Sequence, residues 1–139
     1  MQLYKENLLP KQAWDILVNE ANAFLIDVRT WIECHYVGQP NLQSIKKIPM
    51  IIEWRILPNM DLNPNFYDQI LTKIPDKSSS LIFLCSRGGR SQEAASSVTT
   101  LGYGNCYNVL YGFDGDINER GQRGLINGWK ADQLPWRQD

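Results

Sequence analysis

Leu81-Ile82-Phe83-Leu84-Cys85-Ser86-Arg87-Gly88-Gly89-Arg90-Ser91 is the most informative stretch of the chain. Its first four residues are all apolar, and they follow Pro75-Asp76-Lys77-Ser78-Ser79-Ser80, which has the composition of a turn. A short apolar run bounded in this way predicts a strand covered on both faces, as in parallel sheets. Beyond the glycines, Ala94, Val98 and Leu101 share one helical face, and Gly102 suits the left-handed position that ends a helix. The stretch therefore reads as strand, tight turn and helix, with Cys85 at the end of the strand.

The flanking sequence repeats this alternation. Phe24-Leu25-Ile26-Asp27-Val28 predicts a second buried strand with Asp27 near its C-terminal end. Pro10 opens a helix to about Glu20, since its missing N–H has no partner in a first turn anyway, and Ala13, Trp14, Ile16 and Leu17 form its apolar stripe. A weaker strand is expected over Gln43 to Ile48, cut off by Pro49, and a helix over Asn65 to Lys73. Cys106-Tyr107-Asn108-Val109-Leu110 is a further strand. Helices and strands in alternation predict an α/β fold of three layers, α/β/α, around a parallel sheet of about five strands. Five of the ten glycines lie between Gly112 and Gly128, a long loop followed by Trp129 and Trp136, whose rings are expected to dock on the domain.

A length of 139 residues with 43% hydrophobic and 21% charged side chains suits one domain spanning 1–139. The balance of 14 basic and 15 acidic residues gives no broad positive field, so no nucleic-acid partner is expected. No apolar run approaches the roughly 20 residues of a membrane span. No membrane partner is expected, and because Met1-Gln2-Leu3-Tyr4-Lys5-Glu6 lacks the apolar core of a secretory leader, the cytoplasm is the expected location. Cysteines at 34, 85 and 106 form no Cys-x-x-Cys pair, and His35 is the single histidine, so neither a disulfide framework nor a metal site is expected.

Cys85 is the candidate nucleophile. Gly88 and Gly89 allow successive loop N–H groups to converge on its sulfur, while the helix N-terminus adds partial positive charge and Arg87 and Arg90 add full charges. Each of these features favours thiolate over thiol. Asp27, Arg29 and Glu33 read as structural support, able to satisfy loop amides and to form ion pairs. No pattern brings His35 or Cys34 to Cys85, and Cys106 reads as a small buried hydrophobe. Asp114-Gly115-Asp116-Ile117-Asn118 begins like a calcium loop, but Glu119 and Leu125 stand where the sharp-turn glycine and bidentate glutamate belong, leaving a solvated acidic loop. The five tryptophans read as core and loop anchors, with Trp31 and Trp54 as candidates for lining a pocket.

Cys85, Gly88, Arg90 and Ser91 match Cys-x-x-Gly-x-Arg-Ser, and at these residues the chain resembles the rhodanese family. Leu25-Ile26-Asp27-Val28-Arg29-Thr30 with Glu33 is similar to that family's N-terminal signature. Gly102-Tyr103 and Asn108-Val109-Leu110-Tyr111-Gly112 are similar to its C-terminal one. Tyr36-Val37-Gly38-Gln39-Pro40-Asn41 replaces the usual Gly-His-Ile-Pro-Gly. Together with Gly112-Phe113-Asp114-Gly115-Asp116 and Leu134-Pro135-Trp136-Arg137, this looks like a bacterial subgroup of single-domain members.

The resemblance implies a sulfurtransferase that works without cofactor. Cys85 would take sulfane sulfur from thiosulfate or another small sulfur-containing anion, form a persulfide, and pass the sulfur to cyanide or to a thiol acceptor, small molecule or protein. Ser86, Arg87, Gly88, Gly89, Arg90 and Ser91 would form the binding and thiolate-stabilising loop, with Arg87 and Arg90 on the sulfonate. The alternative is a carrier, sensor or protein-binding module without turnover. Cysteine phosphatases, which have a Cys-x5-Arg loop, fit less well because four residues, not five, separate Cys85 from Arg90, and Leu84 replaces their frequent histidine. Arsenate reduction ranks with them.

Overall fold

A computed structural model describes residues 3–138; Met1 and Gln2, the first residues of the segment read for a leader, lie outside them. In chain order the elements are β1 (Glu6–Leu8), α1 (Pro10–Asn19), β2 (Ala23–Asp27), α2 (Trp31–Val37), β3 (Gln39–Pro40), a 3-10 turn (Gln43–Ile45), β4 (Met50–Ile51), β5 (Arg55–Ile56), β6 (Asp61–Leu62), α3 (Phe66–Lys73), β7 (Ser80–Leu84), α4 (Gly89–Thr99), β8 (Asn105–Val109) and β9 (Trp136–Arg137). Five of the strands form one parallel sheet in the order β1-β8-β7-β2-β4, so β7 is the central strand. The fold is the expected α/β one.

Alternation along the strands divides the core in two. Leu81 and Phe83 of β7, with Cys85 just beyond it, pack with Phe66 and Ile70 of α3 and Ala94, Ala95 and Val98 of α4. Ile82 and Leu84 face the other way, against Ala13 and Leu17 of α1 and against Phe113 and Trp129 of the C-terminal segment. Trp129 is fully buried, while Trp136 is 40% exposed. Burying residues on both faces is why β2 and β7 carry no alternating polar pattern.

One expectation changes. The strand expected over Gln43 to Ile48 is not there: that segment holds the 3-10 turn and a left-handed Lys46, and β4 starts after Pro49. Proline has no N–H to give to a ladder, and pairing with β2 begins only past it, Ile26 opposite Met50 and Asp27 opposite Ile51. The segment that departs from the rhodanese pattern is pinned by β9. Gln39 and Pro40 pair antiparallel with Arg137 and Trp136, and a side chain at Gly38, where φ is 115°, would meet the Arg137 carbonyl oxygen at 2.9 Å.

Candidate active site

Cys85 directly follows β7, and α4 starts four residues later, so the helix N-terminus opens beside the sulfur. Gly88 precedes that helix at φ 113°, a conformation that side chains resist, and this turns its N–H onto Sγ at 3.1 Å. The Ser91 N–H reaches Sγ at 3.4 Å and the Ser91 hydroxyl lies 3.2 Å from it. Ser91 Oγ in turn donates to Asn108 Oδ1 at 2.6 Å, and Asn108 Nδ2 donates to Asn7 Oδ1 at 3.0 Å. A thiol can therefore donate to Ser91 Oγ, while a thiolate keeps two backbone donors and gains the hydroxyl by one rotation. Over the sulfur lies an open cleft of about 510 Å³ lined by Cys85, Ser86, Arg87, Gly89, Arg90, Glu93 and Asp116.

The C-terminal segment holds the loop from behind. Phe113 N–H donates to the Cys85 carbonyl at 2.8 Å, and the N–H groups of Asp114 and Gly115 donate to the Ser86 carbonyl at 2.9 and 3.2 Å. Ser86 Oγ donates to Asp114 Oδ2 at 2.8 Å, and Lys130 Nζ lies 3.4 Å from Asp114 Oδ1. With these carbonyls tied down on the far side, the Gly88 and Ser91 N–H groups face the sulfur. The approach is so close that a Cβ at Gly112, where φ is 61°, would sit 2.6 Å from the Ser86 carbonyl oxygen. Asp114, expected in a solvated loop, is thus buried and bonded to the site. Sequence reasoning left out both Asp114 and Asn108. For Asn108 a signal was present, since an amide inside a strand buried on both faces demands a partner.

The arginines do not share one role. Arg90 gives both terminal nitrogens to Glu33, at 2.6 and 2.8 Å, instead of standing free in the cleft. Hydrogen bonds to that carboxylate hold its guanidinium charged above the ordinary range. Glu33 also closes a capping box, accepting from Thr30 N–H at 3.2 Å while its own N–H donates to Thr30 Oγ1 at 3.2 Å. Burial works to raise the Glu33 pKa, but hydrogen bonds and charge from Arg90, with those from Thr30, outweigh it and hold the carboxyl below its usual range.

A depressed carboxyl stabilises the fold above its unfolded pKa of about 4.3 and loses that contribution as pH falls through the folded value. Glu33→Gln is therefore expected to unfold earlier than wild type at pH 7, by about 1–2 kcal/mol for a partly exposed bidentate pair. Thermal melts should show the gap closing below about pH 4; a gap independent of pH would contradict the pairing.

Asp27 and Arg29 form a fully buried pair. Arg29 Nε and Nη2 donate to the two Asp27 oxygens at 2.9 and 2.7 Å, Nη2 also donates to the Gly38 carbonyl at 2.9 Å, and the guanidinium lies 4.4 Å from the Phe113 ring centroid. Burial disfavours the Arg29 charge, yet Asp27 more than offsets it and the pKa is raised. The pair thereby joins the end of β2 to the start of β3 and to the C-terminal segment.

The other sequence candidates lie elsewhere. Burial, with the charge of Asp27, pushes the Cys34 thiol up to about 12, and burial pushes Cys106 up to about 11. Both are neutral thiols at pH 8, so a brief iodoacetamide pulse on the native protein is expected to add one group, at Cys85. Peptide mapping that finds Cys34 or Cys106 labelled at a comparable rate would refute this. His35 is exposed and meets Tyr36 edge to face, ring centroids 5.0 Å apart. Neither Trp31 nor Trp54 lines the cleft; Trp54 Nε1 instead donates at 3.0 Å to Glu93, which does. Among the described residues no cluster of three or more His, Cys, Asp or Glu side chains is placed to hold a metal ion, and no helix is long and apolar enough to cross a membrane.

Comparison with known proteins places this geometry. The chain is 38% identical over 133 residues to the uncharacterised protein RC0915 of Rickettsia conorii, covering 95% of this chain and 97% of that one. It superimposes on the crystal structure of Rv0390 from M. tuberculosis with a TM-score of 0.85 and 39% identity, over 98% of this chain and 99% of that one. The polysulfide-sulfur transferase of Wolinella succinogenes shares the fold at 18% identity, with a TM-score of 0.65 over 96% of this chain and 78% of that one. A family model described as the STR4 middle domain matches residues 7–139, and the chain belongs to that family, within the rhodanese-like α/β fold.

Proposed function

We propose that the protein is a sulfurtransferase that carries sulfane sulfur on Cys85. The observation that carries this reading is the convergence of Gly88 N–H, Ser91 N–H and Ser91 Oγ on one sulfur at the floor of an open cleft. Such a cradle stabilises an anionic sulfur without a histidine base. In the first half-reaction the Cys85 thiolate attacks the outer sulfur of a donor such as thiosulfate; the S–S bond of the donor breaks, sulfite leaves with the electron pair, and Cys85 holds a persulfide. In the second, a thiolate or cyanide attacks the terminal sulfur and Cys85 is released as thiolate. Arg87 is the loop cation available to an anionic donor, since Arg90 is committed to Glu33. Kinship of fold with a polysulfide-sulfur transferase supports the reading.

Phosphoryl transfer is less well supported, because the arginine that would have to bind the phosphoryl oxygens is the one neutralised by Glu33. Intact-mass measurement after incubation with thiosulfate tests the proposal. A gain of one sulfur that cyanide removes is expected. A protein that gains no sulfur from thiosulfate or from polysulfide, while Cys85 still alkylates, would instead favour a binding module without turnover.

A further inference from the structure

The charges around the cleft cancel unevenly. Arg90 is bidentate with Glu33, and Glu93 faces Arg55 at 3.6 Å while accepting from Trp54. Arg87 and Asp116 also line the cleft, and neither forms an ion pair among the described residues. Both are exposed, one from the loop after β7 and the other from the C-terminal loop. Asp116 is held in place: its N–H donates to Asn127 Oδ1 at 2.9 Å, and Asn127 Nδ2 donates to its Oδ2 at 3.0 Å. Oδ1 is left for a ligand.

One fixed anion and one cation beside a nucleophile admit a dianionic donor such as thiosulfate but hold it less tightly than Arg87 alone would, since Arg87 attracts it and Asp116 repels it. They suit a ligand carrying one charge of each sign. Resting on the sulfur-transfer reading, we propose that the acceptor is a small zwitterionic amino-acid thiol, its carboxylate on Arg87, its ammonium on Asp116 and its sulfur at the Cys85 persulfide. The acceptor thiolate attacks the terminal sulfur, one S–S bond forms as the other breaks, and the electron pair returns to the Cys85 sulfur. The exchange needs no outside oxidant or reductant. A cleft of about 510 Å³ has room for such a molecule.

The test loads the full-length protein as persulfide, removes free donor, and follows loss of the extra sulfur by rapid-quench mass spectrometry. Cysteine, 3-mercaptopropionate, cysteamine and 2-mercaptoethanol are compared at equal thiolate concentration, each rate divided by that with a small-molecule persulfide. Cysteine is expected to lead each singly charged thiol by about threefold and 2-mercaptoethanol by about tenfold, the scale of two solvent-exposed charge pairs. Asp116→Asn should erase its lead over 3-mercaptopropionate and Arg87→Ala its lead over cysteamine, and both leads should shrink in high salt. Because these are ratios within one protein, a variant that is merely less stable leaves them in place. Four equal rates, or leads that survive both substitutions, overturn the proposal while leaving sulfur transfer standing. Failure to load a persulfide from any donor overturns both.

Discussion

Cys85→Ser is expected to leave a folded protein that takes up no sulfur. The substitution keeps a polar atom where Gly88 N–H and Ser91 now point, so the loop retains acceptors for its inward donors. It also changes little volume beside Phe83, Ala94 and Ala95, and far-UV circular dichroism and the unfolding midpoint should stay close to wild type. Chemistry is another matter. A serine hydroxyl in this cradle has no base to deprotonate it, and the turnover rate should fall on the order of 10³-fold or more, as for other removed nucleophiles. A folded Cys85→Ser protein that still moved sulfur at the wild-type rate would end the assignment of Cys85 as the carrier.

Asp27→Ala should be the most damaging single change to stability. Arg29 is fully buried, and its Nη1 already lacks a hydrogen-bond partner, so losing Asp27 removes both of its side-chain hydrogen-bond acceptors and leaves the Gly38 carbonyl, the Phe113 ring and the weaker field of Asp114. Breaking a buried pair from one side costs about 3–5 kcal/mol. For a domain of this size that corresponds to a fall of roughly 10–15 °C in Tm. Asp27→Leu combined with Arg29→Met removes both charges together and should recover much of the loss. Calorimetry of the single and double variants decides it: a drop of under about 2 °C for Asp27→Ala would mean that the pair does not carry the junction it spans.

The plan of the fold was written in local pattern. Phe24 to Val28 and Leu81 to Leu84 are apolar runs too short for helices and too continuous for half-exposed strands, and each lies within a residue of β2 and β7. The glycine pair after Cys85 likewise announced a turn with unusual backbone angles, and Gly88 has one while Gly89 opens α4. Short edge elements were not legible. β1, β3, β4 and β9 have two or three residues each, and what makes them strands is a partner distant in sequence, such as Trp136 for Pro40.

Residue sequence by itself determined that a thiol would stand where a buried parallel strand meets a helix, because periodicity, glycine and burial are properties of neighbouring residues. Tertiary structure alone decided which charges around that thiol remain available. Arg87 and Arg90 look equivalent in the sequence, yet Glu33, 57 positions from Arg90, neutralises one and leaves the other. Asp114 and Asp116 look like one acidic run, yet the first is drawn inward by Ser86 and Lys130 and the second stands at the cleft. Coulomb energy depends on distance in space and on burial, and neither is set until the chain has closed on itself.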